Sequence, residues 1–152
     1  MRIPINTIAC STALTLIILT LTAAAFPQAQ TTSSLRVGLA QRAKQYGGSP
    51  TVIAKPTDIV LYIRIDGLTD DEWGAVRLAD IAVSIDGRRF APEIKEEAST
   101  TVLNGKVTQR GERAVVFVVP REQLKFSLVV GTRPPVAFQA ETTIREVIAP
   151  IK

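Results

Sequence analysis

Apolar and polar residues alternate cleanly over residues 58–66. Ile59, Leu61, Ile63 and Ile65 share one face, and Val60, Tyr62 and Arg64 share the other. A period of two marks a strand, because successive side chains point to opposite sides of a sheet. Ile81, Val83 and Ile85 alternate with Ala82 and Ser84, and Asp86-Gly87 follows. That dipeptide suits a type I′ hairpin turn, which needs positive φ at both central positions, so residues 88–91 form the return strand and Pro92 ends its pairing. A second hairpin is predicted at Asn104-Gly105, between residues 100–103 and 106–109. Residues 114–119 are continuously apolar, as in a central strand covered on both faces. Leu124, Phe126, Leu128 and Val130 alternate again, and residues 136–143 read as the last strand. The tail from Ile144 is apolar but shows no clear period.

Two stretches resist this reading. Leu35, Leu39, Ala43 and Tyr46 fall near one helical face, with Ser34 as an N-cap and Gly47-Gly48 as a stop. The segment reads either as a short helix over residues 35–46 or as a tether carrying a short first strand. Residues 93–97 are charged and read as a connection. The whole pattern predicts an all-β protein: an immunoglobulin-like antiparallel β-sandwich of about seven strands over residues 51–152. Phe117 and Phe126 are its expected core aromatics.

The N-terminus changes the picture of where this domain works. Met1 and Arg2 precede an uncharged, mostly apolar stretch over residues 13–21, and Ala23-Ala24-Ala25 supplies the small residues that a signal peptidase requires. Residues 1–25 therefore read as a signal peptide, and residues 26–50 as a flexible leader. The expected destination is the periplasm or the outside of the cell. No charge occurs between Arg2 and Arg36, so an uncleaved segment would instead anchor the chain in the membrane. Ile8-Ala9-Cys10 faintly resembles a lipobox, but the apolar run follows the cysteine rather than preceding it.

Composition then removes whole classes of chemistry. The chain has no His, and its one Cys, Cys10, lies inside the signal. Ser-His-Asp and Cys-His catalysis and His/Cys zinc sites are excluded for the exported part. No disulfide is available to it, so stability must come from a packed core. The formal net charge is +4, with acids and bases interspersed, which argues against a nucleic-acid partner.

Within this frame one order of motifs is similar to a known family. The hairpin Asp86-Gly87-Arg88-Arg89-Phe90-Ala91-Pro92 is followed by Arg110-Gly111-Glu112-Arg113, then Val116-Phe117-Val118-Val119-Pro120, then the strand at residues 124–130. This resembles bacterial extracytoplasmic immunoglobulin-like domains of unknown function, over residues 51–140. The resemblance implies a sandwich tethered to the membrane or secreted beyond it. It carries over no catalytic residues.

The remaining candidate sites are few. Asp66, Asp70, Asp71 and Glu72 are close enough in sequence to offer oxygen ligands to Ca²⁺, without the Asp-x-Asp-x-Asp-Gly spacing of a dedicated loop. Their alternative role is to cap a short helical turn or to face water. Trp73, the only Trp, is a candidate anchor for a partner or a lid over the core. Arg133-Pro134-Pro135 offers a stiff edge to a partner or makes a rigid turn. No cofactor is expected. The function that follows is a non-enzymatic exported module of the cell envelope, binding another envelope or extracellular protein. The alternative is a small exported enzyme or enzyme inhibitor with a carboxylate or loop site.

Overall fold

A computed structural model describes residues 34–97, 100–103, 105–110 and 112–150. The expected signal peptide and the part of the expected leader before Ser34 lie outside the described residues, as do residues 98–99, Asn104, Gly111 and residues 151–152. The described residues all fall within one compact unit.

The strands make two main sheets. One contains β1 (Arg36–Tyr46), β2 (Val52–Ile53), β3 (Asp58–Asp66), β6 (Pro92–Glu96), β9 (Ala114–Pro120) and β12 (Ile144–Ile148). Its order is β12-β1-β3-β9-β6, with β2 paired to the end of β1. The other contains β4 (Ile81–Ile85), β5 (Arg88–Phe90), β10 (Lys125–Val130) and β11 (Val136–Gln139), in the order β11-β10-β4-β5. β7 (Thr100–Leu103) and β8 (Lys106–Arg110) form a separate antiparallel ribbon between β6 and β9. A short α-helix, α1 (Asp70–Ala75), and a 3-10 turn at Leu78–Asp80 lie on the connection from β3 to β4. The order β1-β3-β9-β6 facing β11-β10-β4-β5 is that of strands A-B-E-D against G-F-C-C′ in an immunoglobulin sandwich. The all-β sandwich read from the sequence is thus the fold.

The alternating strands point as their patterns require. Ile59, Leu61, Ile63 and Ile65 of β3, Val115, Phe117 and Val119 of β9, and Phe126, Leu128 and Val130 of β10 share the core cluster that also holds Ile81, Val83 and Trp73. A second cluster lies on the opposite faces of β3 and β9. Val60, Tyr62, Ala114 and Val116 pack there with Ala43, Tyr46 and Ile148, and the Tyr46 and Tyr62 rings stack 6.2 Å apart. This second layer explains why residues 114–119 are apolar at every position. At the Asp86-Gly87 turn both residues have positive φ, 46° and 81°, as type I′ geometry demands.

Three expectations need correction. Residues 35–46 are not a helix: Arg36–Tyr46 is an eleven-residue strand pairing β3 antiparallel and β12 in parallel. The sandwich accordingly begins near Leu35, not at residue 51, and residues 36–46 are no leader. A register shift between Val37 and Leu39 reverses the alternation partway along β1. Leu35 and Ala40 therefore face one cluster and Ala43 the other, which Tyr46 also joins at the end of the strand, and this broken phase mimics a helical stripe. Residues 93–97 are not a mere connection, because Pro92–Glu96 is the edge strand β6, whose polar composition hid it. Nor is the strand at Val136 the last. Ile144–Ile148 returns to the first sheet beside β1, and among the described residues twelve strands are formed in place of about seven.

Arg42 fixes that return. It is only 5% exposed. Its guanidinium donates to the carbonyls of Arg121, in the β9–β10 turn, and Thr142, in the β11–β12 crossover (3.3 Å). Replacing Arg42 with Ala is expected to cost about 2 kcal/mol, because two carbonyls lose charged donors. Arg42→Met restores the apolar stem but not the donors, so it should recover only part of that loss. Urea melts followed by Trp73 fluorescence will measure both.

Candidate functional site

The residues singled out from the sequence gather at one end of the sandwich, around α1. Thr69 caps the helix, accepting from the Glu72 N–H at 3.2 Å, while the Glu72 carboxylate accepts from the Thr69 N–H at 2.8 Å. This reciprocal capping box satisfies two donors that a helix start leaves open. Glu72 also takes a hydrogen bond from Arg133 at 3.0 Å, and the Thr69 backbone N–H, then Arg133, hold its carboxyl below the ordinary range. Asp70 pairs with Arg113 at 2.8 Å. Asp66 lies 3.6 Å from Arg64, and Asp71 is exposed. Three of the four acids thus face separate basic partners and Asp71 faces solvent, and among the described residues no three His, Cys, Asp or Glu side chains converge on a cation position.

Trp73 is fully buried. Its indole N–H donates to the Glu96 carbonyl at 2.7 Å, and the Lys95 ammonium lies 4.7 Å from the ring centroid while bonding Glu97 at 2.6 Å. The ring therefore closes this end of the core, and its faces are not offered to a partner. Arg133, the other candidate contact, ties the β10–β11 turn to α1 through Glu72. The connection between β3 and β4 so clasps β6, the segment before β9, and the β10–β11 turn.

Beside the clasp lies a polar group that the sequence reading missed. The Tyr62 hydroxyl donates to Glu112 at 3.1 Å, and Arg64 lies 3.7 Å from the same carboxylate. Burial, reinforced by Glu112, pushes the Tyr62 phenol above its ordinary range. Burial, and then Glu112, also raise the Glu96 carboxyl. A carboxyl raised in the folded state favours unfolding once it ionises. That cost is absent below the unfolded pKa and complete above the folded one. Glu96→Gln is therefore expected to raise the melting temperature at pH 7. The gain should vanish near pH 4, where the free carboxyl titrates. Melts at the two pH values will check it.

At the opposite end is a concave surface that no sequence motif announced. A groove of about 460 Å3 is lined by residues of β1 (Lys44, Gln45), of β2 and the segment after it (including Ile53 and Lys55), and of β12 (Glu146, Val147), together with Arg121. Ile53 is 72% exposed and Val147 50%. Among the described residues most large apolar side chains are buried, so two exposed ones on one groove are notable. Two of its lining residues, Lys44 and Glu146, form an exposed ion pair of 2.7 Å. Neither apolar residue was legible beforehand, because β2 has two residues and β12 has no period.

Comparison with protein-family models, with curated proteins and with solved structures finds no match. Fold and surface together define a β-sandwich of immunoglobulin strand order with a clasped end and an open, partly apolar groove at the other. Among the described residues no helix is long and apolar enough to cross a membrane.

Proposed function

We propose that this chain is a non-enzymatic binding or structural module of the cell envelope, exported and placed in the periplasm or outside the cell. Its partner in this reading is another envelope or extracellular protein. The carrying observation is the groove: it sets exposed Ile53 and Val147 beside mixed charges, as protein-contact surfaces do. The groups with chemical potential are engaged elsewhere, with Asp70, Glu72, Trp73 and Arg133 holding loops together. The basic, apolar and Ala-rich order of the N-terminus supports export. The family resemblance of the hairpin and strand motifs points the same way.

The test is capture from envelope extract by the purified protein, compared with Ile53→Arg and with a change at exposed Gln139, remote from the groove lining. The groove variant should lose the partner and the Gln139 variant should keep it. No histidine is present to titrate, so capture should be alike at about pH 6 and pH 8. It should also persist in EDTA. Loss in EDTA that Ca²⁺ restores and Asp70→Ala abolishes would move the site to the acidic segment. Turnover of a substrate by the purified protein would refute the module reading.

A further inference from the structure

The two main sheets expose four edges, and three of them are guarded. β6 begins with Pro92, and its register shifts between Pro92 and Ile94. β5 has three residues, of which Arg88 and Arg89 are exposed. β11 has four residues and directly follows Pro134-Pro135. Proline, bulges, brevity and charge are the means by which proteins keep edges from pairing with other chains. β12 has none of the first two. It runs five residues beside β1 without a register shift, contains no proline, and ends the sheet order. Its charges are already engaged within the chain, Arg145 with Glu141 and Glu146 with Lys44.

The backbone direction of β12 is set by one bond. The Ile148 carbonyl accepts from the Gly47 N–H at 2.8 Å, so Ile148 faces β1. Peptide groups alternate sides along a strand, so Glu146 also faces β1, while Arg145 and Val147 direct N–H and C=O outward. These two residues and Glu146 between them are exposed. A second copy fits this edge poorly. Antiparallel pairing about a two-fold axis at residue 145 or 146 would set Arg145 against Arg145 or Glu146 against Glu146 of the second copy, and like charges directly opposite are destabilising, while an axis at Val147 overlaps only residues 146–148 of β12, too few for a stable two-stranded contact.

We propose that β12 accepts an added strand: an extended segment of a partner protein, with apolar residues at alternate positions to lie against Val147. This rests on the binding-module reading and names how the partner is held. The probe is a displayed library of random dodecapeptides selected on the purified protein. Selected peptides should carry alternating apolar residues. They should bind Val147→Pro roughly ten-fold more weakly, because one outward donor is gone and a peptide carbonyl is left unpaired. Val147→Ala keeps the N–H and should stay within about two- to three-fold of the parent. Trp73 emission verifies that each variant is folded. Should Val147→Pro fail to fold, deuterium uptake of the parent decides: the best selected peptide should protect the amides of Arg145 and Val147 and leave β5 and β11 unchanged.

The inference is overturned if no peptide is selected, if the peptides show helical spacing, if Val147→Pro binds as the parent does, or if those amides gain no protection. It is equally overturned if sedimentation shows a dimer that Val147→Pro dissolves. An envelope protein captured equally by the parent and Val147→Pro removes strand addition and leaves the module reading standing. Capture of nothing by any form removes the module reading itself.

Discussion

Replacing Phe117 with Ala is expected to lower the unfolding free energy by about 3–5 kcal/mol, much of the stability of a domain this size. Phe117 is fully buried in the central strand β9. Its backbone is flanked in register by Leu61 of β3 and Pro92 of β6, so neighbouring strands on both sides hold the cavity open. Phe126→Ala should fall at the lower end of that range. Its ring stacks 5.5 Å from Phe138, which is only partly buried and has room to shift into the gap. Urea melts followed by Trp73 fluorescence give both numbers. Equal, negligible losses at the two positions would contradict the packing described here.

Trp73→Ala should cost a similar amount, about 3–5 kcal/mol, for a different reason. The indole fills the end of the core, gives its N–H to Glu96 and lies beneath the Lys95 ammonium. Trp73→Phe separates these contributions. It keeps an aromatic ring in the core but leaves the Glu96 carbonyl without its donor, for an expected loss of about 1–2 kcal/mol. Circular dichroism must report these melts, because the fluorophore is removed. If Trp73 closes the core as described, Trp73→Ala also loosens α1, and amide exchange over residues 70–75 should rise towards that of an exposed loop.

Much of this architecture was legible in the chain, for local reasons. β3, β4 and β10 have one face towards the inter-sheet core and bear a clear period of two. β9 lies between two apolar layers and reads as an unbroken apolar run. The Asp86-Gly87 turn is fixed by backbone sterics alone, since few residues accept positive φ. The absence of histidine, and a single cysteine at position 10, bound the chemistry without any structure.

The rest was decided by contacts between residues distant in sequence. β1 is a strand because β3 and β12 hydrogen-bond its two edges, which outweighs a weak helical spacing over the same residues. β12 exists because Arg42 holds the crossover that brings residues 144–148 back to β1, a contact across 100 positions that no local pattern encodes. Glu72 and Arg133 meet, and Trp73 reaches Glu96, only once the sheets are stacked. The groove likewise arises from β1, β2 and β12, of which only β1 is long. A period in the sequence records which face of an element is buried. It does not record which elements share an edge, and the candidate surface of this protein is made of shared and unshared edges.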